Sequence, residues 1–205
     1  MTKSEHWVLA SHNRGKLVEI QDLFRELPVE LRNAEDLGLP EPEETGTTFE
    51  ANAELKARAA ADATGLVSLA DDSGVEVHAL DGEPGIYTAR WAGPERDFAI
   101  ARQRVHDRLA ELGDGASWRA TYVCVFCVAW PDGRSVCFRG DTRGSLVWPI
   151  RGNLGFGFEP MFLPDGYAVT YGEMRPEYRA RVNARAQAMR KLRDALFSPR
   201  ATDDT

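Results

Sequence analysis

The stretch SLADDSGVEV, residues Ser68–Val77, decides how the chain is read. An apolar run from Leu66 to Ala70 has the length and composition of a buried strand. Two adjacent aspartates, a serine and a glycine interrupt it, and apolar alternation then resumes. Burying an unpaired carboxylate is costly. The sequence predicts a strand that ends in an acidic turn, and Asp71 and Asp72 need a reason to be there.

Working outward, strands and helices mix along the chain. HWVLAS, residues 6–11, reads as a first strand, HNRG as a loop, and KLVEIQDLFREL as a helix with Leu17, Ile20, Leu23, Phe24 and Leu27 on one face. VELRNA is a second strand, and the loop EDLGLPEPEETG follows. Thr47 and Glu50 have capping-box spacing ahead of the Ala-rich helix FEANAELKARAAADAT. Residues 81–93 read as a long loop or extended segment and residues 95–112 as a helix. WRATYVCVFCVAW and SVCFRGDTRGSL are strands joined by PDGR, a hairpin signal. Pro176 opens one last helix with Val182, Ala186, Met189, Leu192 and Leu196 on its apolar stripe. This pattern predicts an α/β fold with a mixed, partly antiparallel sheet flanked by helices. All 205 residues are expected to form one domain, with a frayed tail over 198–205.

Composition narrows the function classes. The chain is 43% hydrophobic and 28% charged, which is a globular balance. Its net charge of -7 argues against adhesion to nucleic-acid polymers or anionic membranes. No segment is long and apolar enough for a membrane span, and the N-terminus lacks a signal-peptide core, so a cytoplasmic protein is expected. Cys124 and Cys127 form C-x-x-C, but positions three apart on a strand face opposite sides. They read as core residues in a reducing compartment.

Five segments carry chemistry. SHNRGK, Ser11–Lys16, joins a strand to a helix, where backbone N–H groups favour anions, Gly15 permits close approach and Lys16 adds a cation. Leu17 follows where the common phosphate loop has a magnesium-binding hydroxyl, so any metal is held elsewhere. A plain strand-to-helix turn is the competing reading. Asp71 and Asp72 should face opposite ways, one toward a site and the other toward a turn or a cation. A carboxylate there can hold Mg²⁺ or take a proton from water, and an Asx-turn explains DDSG equally well. Glu43 and Glu44 are a solvated acidic loop or further metal ligands. GFGFEP, residues 155–160, interleaves glycine with aromatics, so Phe156 or Phe158 stacks on a planar base or fills the core. Arg175, Arg179, Arg181 and Arg185 cluster around the last helix.

Together these point to a nucleotide site. SHNRGKLVEI, EETGTTFEANAELKARAAA, ADDSGVEVHALDGEPGIYTARWAG and GFGFEPMFLPDG resemble the inosine/xanthosine triphosphate pyrophosphatase family, from about Val8 to Leu196. The resemblance implies an elongated two-lobed α/β fold with its site in the central cleft, and a homodimer. It implies Mg²⁺-dependent hydrolysis of nonstandard purine nucleoside triphosphates to monophosphate and pyrophosphate. Carried over by position, Ser11, His12, Asn13, Arg14, Gly15 and Lys16 hold the phosphates. Glu44 and Asp72 hold Mg²⁺, Asp72 is the general base, Lys16 joins Mg²⁺ in neutralising the phosphate oxygens, and Ser73 contacts substrate. Phe156, Gly157, Phe158 and Glu159 line the base and sugar pocket, with Arg179, Ala184 and Arg185 beside them.

The chain departs from that family at the base end. A Lys followed by Ser-His-Arg is usual there, and this chain has Arg179, then Asn183, Ala184 and Arg185. The usual Tyr-Asp is Phe158-Glu159. Ala184 offers no side-chain hydrogen bond, so discrimination among bases should relax or shift. The alternatives are a pyrophosphatase for another or modified nucleotide and a nucleotide-binding protein of weak activity.

Overall fold

The acidic pair does not end a strand. In the computed structural model, which describes residues 5–198, Val67–Val77 is one continuous strand with both aspartates near its middle. The elements run β1 (Glu5–Leu9), α1 (Arg14–Phe24), β2 (Val29–Asn33), α2 (Phe49–Thr64), β3 (Val67–Val77), β4 (Pro84–Gly85) and α3 (Phe98–Glu111). They continue β5 (Arg119–Ala129), β6 (Ser135–Leu146), β7 (Phe162–Pro164), α4 (Pro176–Val182) and α5 (Ala184–Leu196). The expected tail lies, from residue 199 on, outside the described residues.

One open sheet of seven strands has the order β2-β1-β3-β5-β6-β7, with β4 also paired to β3. β1 is parallel to β2 and β3, and the remaining pairs are antiparallel. β3 pairs with β5 from Ser68↔Ala129 to Val77↔Ala120, which carries Asp71 and Asp72 through in register with Phe126 and Val125. Those ladder bonds, and cations on both faces, override the local turn chemistry of DDSG.

Two lobes share the long strands. In one, Leu69, Phe126 and Val128 pack beneath Leu17, Ile20 and Phe24 of α1 and Met189 and Leu192 of α5. On that lobe's other face, Ala70, Val125 and Cys127 meet the Phe49, Ala53, Ala57 and Ala60 stripe of α2. The second lobe packs Val75 and Val77 with Val105 and Leu109 of α3, Phe158, Phe162 and Tyr171.

Two local predictions need correction. Thr48, not Thr47, caps α2, its side chain accepting from Ala51 N–H. The last helix is two: Asn183 is extended, ends α4 and caps α5 by accepting from Ala186 N–H at 2.8 Å. Two glycines permit close approaches near the cleft. A Cβ at Gly74 would sit 2.4 Å from Gly85 O, and one at Gly140 would sit 2.0 Å from Ala184 O.

Candidate active site

β1 stops pairing with β3 at Leu9↔Leu69, and β4 starts at Val75↔Gly85. Between these points the β3 edge has no strand beside it, and a cavity opens there, at the end of the parallel strands where α/β folds place ligands. Both aspartates border this cavity, because it wraps around the bare edge of β3.

Asp71 faces α1 and α5. Its Oδ2 lies 2.9 Å from Lys16 Nζ and 3.3 Å from Arg185 Nη2. Arg185 also pairs with Glu19. Two carboxylates thus meet two cations, and this nest is electrically neutral. Burial alone raises the Asp71 pKa, but Lys16, Arg185 and Lys56 outweigh it and hold the carboxyl below its ordinary value.

Asp72 faces α2. Lys56 Nζ donates to Glu44 Oε1 at 2.6 Å and stands 3.8 Å from Asp72 Oδ1. Ser73 N–H donates to that same Oδ1 at 3.0 Å. Two carboxylates here share one lysine, which leaves this nest one negative charge in excess. Asp72 Oδ2 is buried with no hydrogen-bond partner, as is Asp71 Oδ1 on the other face. Burial, joined by Glu44 and Asp71, raises the Asp72 pKa to about 6 against the pull of Lys56 and Lys16. Burial pushes the Lys56 pKa down, and the three carboxylates push it further up.

A divalent cation fits this second nest. The charge is one cation short, and an oxygen of Asp72 is already desolvated and unpaired. Among the described residues no three His, Cys, Asp or Glu side chains converge as a complete ligand set. That suits Mg²⁺, which binds through one or two carboxylates and otherwise keeps water and phosphate oxygens. Glu44 lies beside Asp72, whereas Glu43 does not border the cavity.

The phosphate-loop candidates divide. Ser11, His12, Asn13 and Lys16 border the cavity. Asn13 Oδ1 already accepts from Gly15 N–H at 3.0 Å and Lys16 N–H at 3.3 Å, so those two donors serve the cap of α1. Gly15 does not border the cavity, and the Arg14 side chain lies outside the described residues.

The base-end candidates divide too. Phe156 and Gly157 border the cavity, with Phe156 exposed. Phe158 is wholly buried, edge-on to Phe98, and belongs to the core; it is not a stacking platform. Glu159 borders the cavity, accepts from Phe156 N–H at 2.8 Å and pairs with Arg179 at 3.1 Å. Burial raises its pKa to about 7 despite Arg179. Arg179 stays off the cavity. It donates to the carbonyls of Leu154 at 2.9 Å and Tyr171 at 3.0 Å, so it anchors the loop and is not placed to touch a ligand. Ala184 and Arg185 border the cavity, and Arg185 Nε is buried without a partner.

Lys56 is the residue the sequence reading missed. Its signal was position: it interrupts the apolar stripe of α2 between Ala53 and Ala57, a place where a lysine must have a buried partner. Asn52 was missed as well. Its Oδ1 accepts from Gly46 N–H at 2.8 Å and ties the Glu44 loop to α2.

The family model of the Ham1 family matches residues 7–195. The chain belongs to the Ham1 family. A dITP/XTP pyrophosphatase of Rhodospirillum centenum is 51% identical over 191 residues, 93% of this chain and 94% of the relative. One of Brucella melitensis is 55% identical over 175 residues, 83% and 80% of the two chains. The solved Ham1 protein of Coxiella burnetii superposes with a TM-score of 0.88 at 34% identity, covering 94% of this chain and 98% of that one. Membership bears out the resemblance read from the motifs, and the superposition bears out the two-lobed mixed sheet.

Proposed function

We propose that this chain hydrolyses nonstandard purine nucleoside triphosphates such as dITP and XTP to the monophosphate and pyrophosphate. The observation that carries the reading is the unequal pair on β3. Each keeps one buried oxygen without a hydrogen-bond partner, but Asp71 is neutralised by two cations, whereas Asp72 sits in a nest of excess negative charge. Relatives about half identical carry the dITP/XTP pyrophosphatase name.

Lys16 meets the phosphate oxygens, with Ser11 and His12 beside it. Glu44 and Asp72 hold Mg²⁺, which supplies charge to the phosphates when bound. Asp72, with its pKa raised to about 6, is ionised at neutral pH and basic enough to take a proton from water attacking the α-phosphorus. Lys56 keeps the three carboxylates around it compatible. Phe156 offers a stacking face to the base. Arg185 Nε and Glu159 are the polar groups left to read its edge, since Ala184 has none.

Base selection is accordingly relaxed. One buried polar contact fewer is worth about 1–3 kcal/mol, or roughly fivefold to 150-fold. Pyrophosphate release with Mg²⁺ should favour dITP and XTP over dGTP by a narrow margin, and Ala184→His should widen it. A wide margin for dITP in the parent chain overturns the relaxed pocket. Nucleotide binding with no turnover on any member of a purine and pyrimidine panel overturns the enzyme reading.

The same reading includes a homodimer in the cytoplasm. Its support is the run of exposed Trp148, Ile150 and Leu154 along one connection. Among the described residues no helix is long and apolar enough to cross a membrane. Light scattering at micromolar concentration tests the dimer, and a monomer mass overturns it.

A further inference from the structure

The three cysteines are not used by the proposed reaction. Cys124 and Cys127 are unsuited to a C-x-x-C site, since they face opposite sides of β5: Cys124 borders the cavity and Cys127 packs against α2. The strand opposite supplies a better partner. Cys127 stands directly across from Cys137 in the β5–β6 ladder. Residues paired this way share a face, and Cys137 packs against the same apolar cluster.

The hydrogen-bond phase of the ladder then sets their separation. At the hairpin, Trp130 N–H donates to Arg134 O at 2.9 Å, and at the far end Leu146 N–H donates to Trp118 O at 2.7 Å. Both ends place the hydrogen-bonded pairs at even positions of β5, so Cys127↔Cys137 is a non-bonded pair. Such pairs have Cα atoms about 4.5 Å apart and the closer side chains. Disulfides span Cα separations of about 4.4–6.8 Å. Cys137 is half-buried, with Sγ 3.9 Å from Glu50 O, and gives an oxidant its way in; Cys127 lies behind it.

We propose that Cys127 and Cys137 are a modification site that forms an intrachain disulfide with a small-molecule disulfide as oxidant. The Cys137 thiolate attacks one sulfur of oxidised glutathione. The other glutathione leaves as thiolate and takes up the proton Cys137 released. Cys127, deprotonated in turn, attacks the Cys137 sulfur of this mixed disulfide and expels the second glutathione as a thiol. The two cysteines lose two electrons in total, and one glutathione disulfide becomes two thiols. Cys124, opposite Gly140, has no thiol across the ladder and stays reduced.

The test uses the full chain, folded, incubated with oxidised glutathione, then denatured, alkylated and analysed by peptide mass spectrometry. The expected result is a Cys127–Cys137 linked peptide, two hydrogens lighter than the reduced pair, with Cys124 alone alkylated. Dithiothreitol should restore alkylation at all three, and Cys137→Ser should abolish the linkage and leave Cys127 alkylated. Full alkylation of Cys127 and Cys137 after oxidation overturns the proposal. So does a Cys124–Cys127 linkage, or glutathione that remains on Cys137 of the parent chain.

Discussion

The two faces of β3 at its midpoint carry the same side chain in nearly the same burial and do opposite things. On the α1/α5 face Asp71 has two cations within 3.3 Å, and its carboxyl is held below the ordinary range. On the α2 face Asp72 shares one lysine with Glu44, and its pKa is raised to about 6. Residue type and depth do not separate them; the number of cations each face supplies does. A charge-compensated carboxylate holds structure together. An undercompensated one is available to a cation or a proton.

Four substitutions break or sharpen that contrast. Asp72→Asn should lower kcat by about 10²–10⁴-fold, as loss of a positioned base does, while the fold survives. It should also unfold at higher denaturant than the parent near pH 8. The folded pKa of Asp72 is raised above its ordinary 3.8, so its contribution to stability is full below that value and is lost as pH climbs through about 6. In metal-free protein the parent and Asp72→Asn should therefore converge near pH 4 and separate above pH 6.

Asp71→Asn should act the other way, on stability first. Removing one partner of a buried ion cluster costs about 3–5 kcal/mol, here by leaving Lys16 and Arg185 with only Glu19 between them. Urea titration near pH 7 reads it. Because the Asp71 pKa is depressed, the parent's advantage holds above the ordinary carboxylate range and disappears as pH falls below it. If the two asparagine variants lose equal stability, the contrast between the faces is wrong.

Glu159 extends the contrast to the base end. Its pKa is raised from 4.5 to about 7, so the parent should lose on the order of 2–3 kcal/mol of stability between those pH values. Glu159→Gln should flatten that slope in melting curves. The smallest effect on turnover at neutral pH is expected for Lys56→Met, whose removal of the one cation in that nest is read in the pH dependence. Without its one lysine Asp72 becomes harder to ionise, and the acid limb of the pH–rate profile should move up by about one unit.

The long elements were legible because their periodicity is strong: α2 and the β5–β6 hairpin need little tertiary help. Sequence alone cuts β3 short because DDSG is good turn chemistry, and only the β5 ladder and the flanking cations make it a strand. The break at Asn183 was hidden by an apolar stripe that runs across both helices. Among site residues, Ser11, Lys16, Glu44, Asp72 and Arg185 converge on one cavity as their motifs suggested. Phe158 and Arg179 lie off that cavity for a common reason. An aromatic and an arginine in a glycine-rich loop look the same in sequence whether they serve a ligand or hold the loop, and here they pack into the lobe and bind its carbonyls.

The ragged border of the sheet has one last implication. The opening for a ligand is set by where two short strands stop: Ala10 N–H still reaches Leu69 O, and the next backbone contact on that side waits until Val75. Two more residue pairs added to β1, Ala10↔Ala70 and Ser11↔Asp71, would seal Asp71 behind a neighbour without altering the identity of any side chain in the cavity. The gauge of this doorway is strand length, and insertions around Ser11 should be far less tolerated than insertions of equal size in the hairpin at Pro131–Arg134.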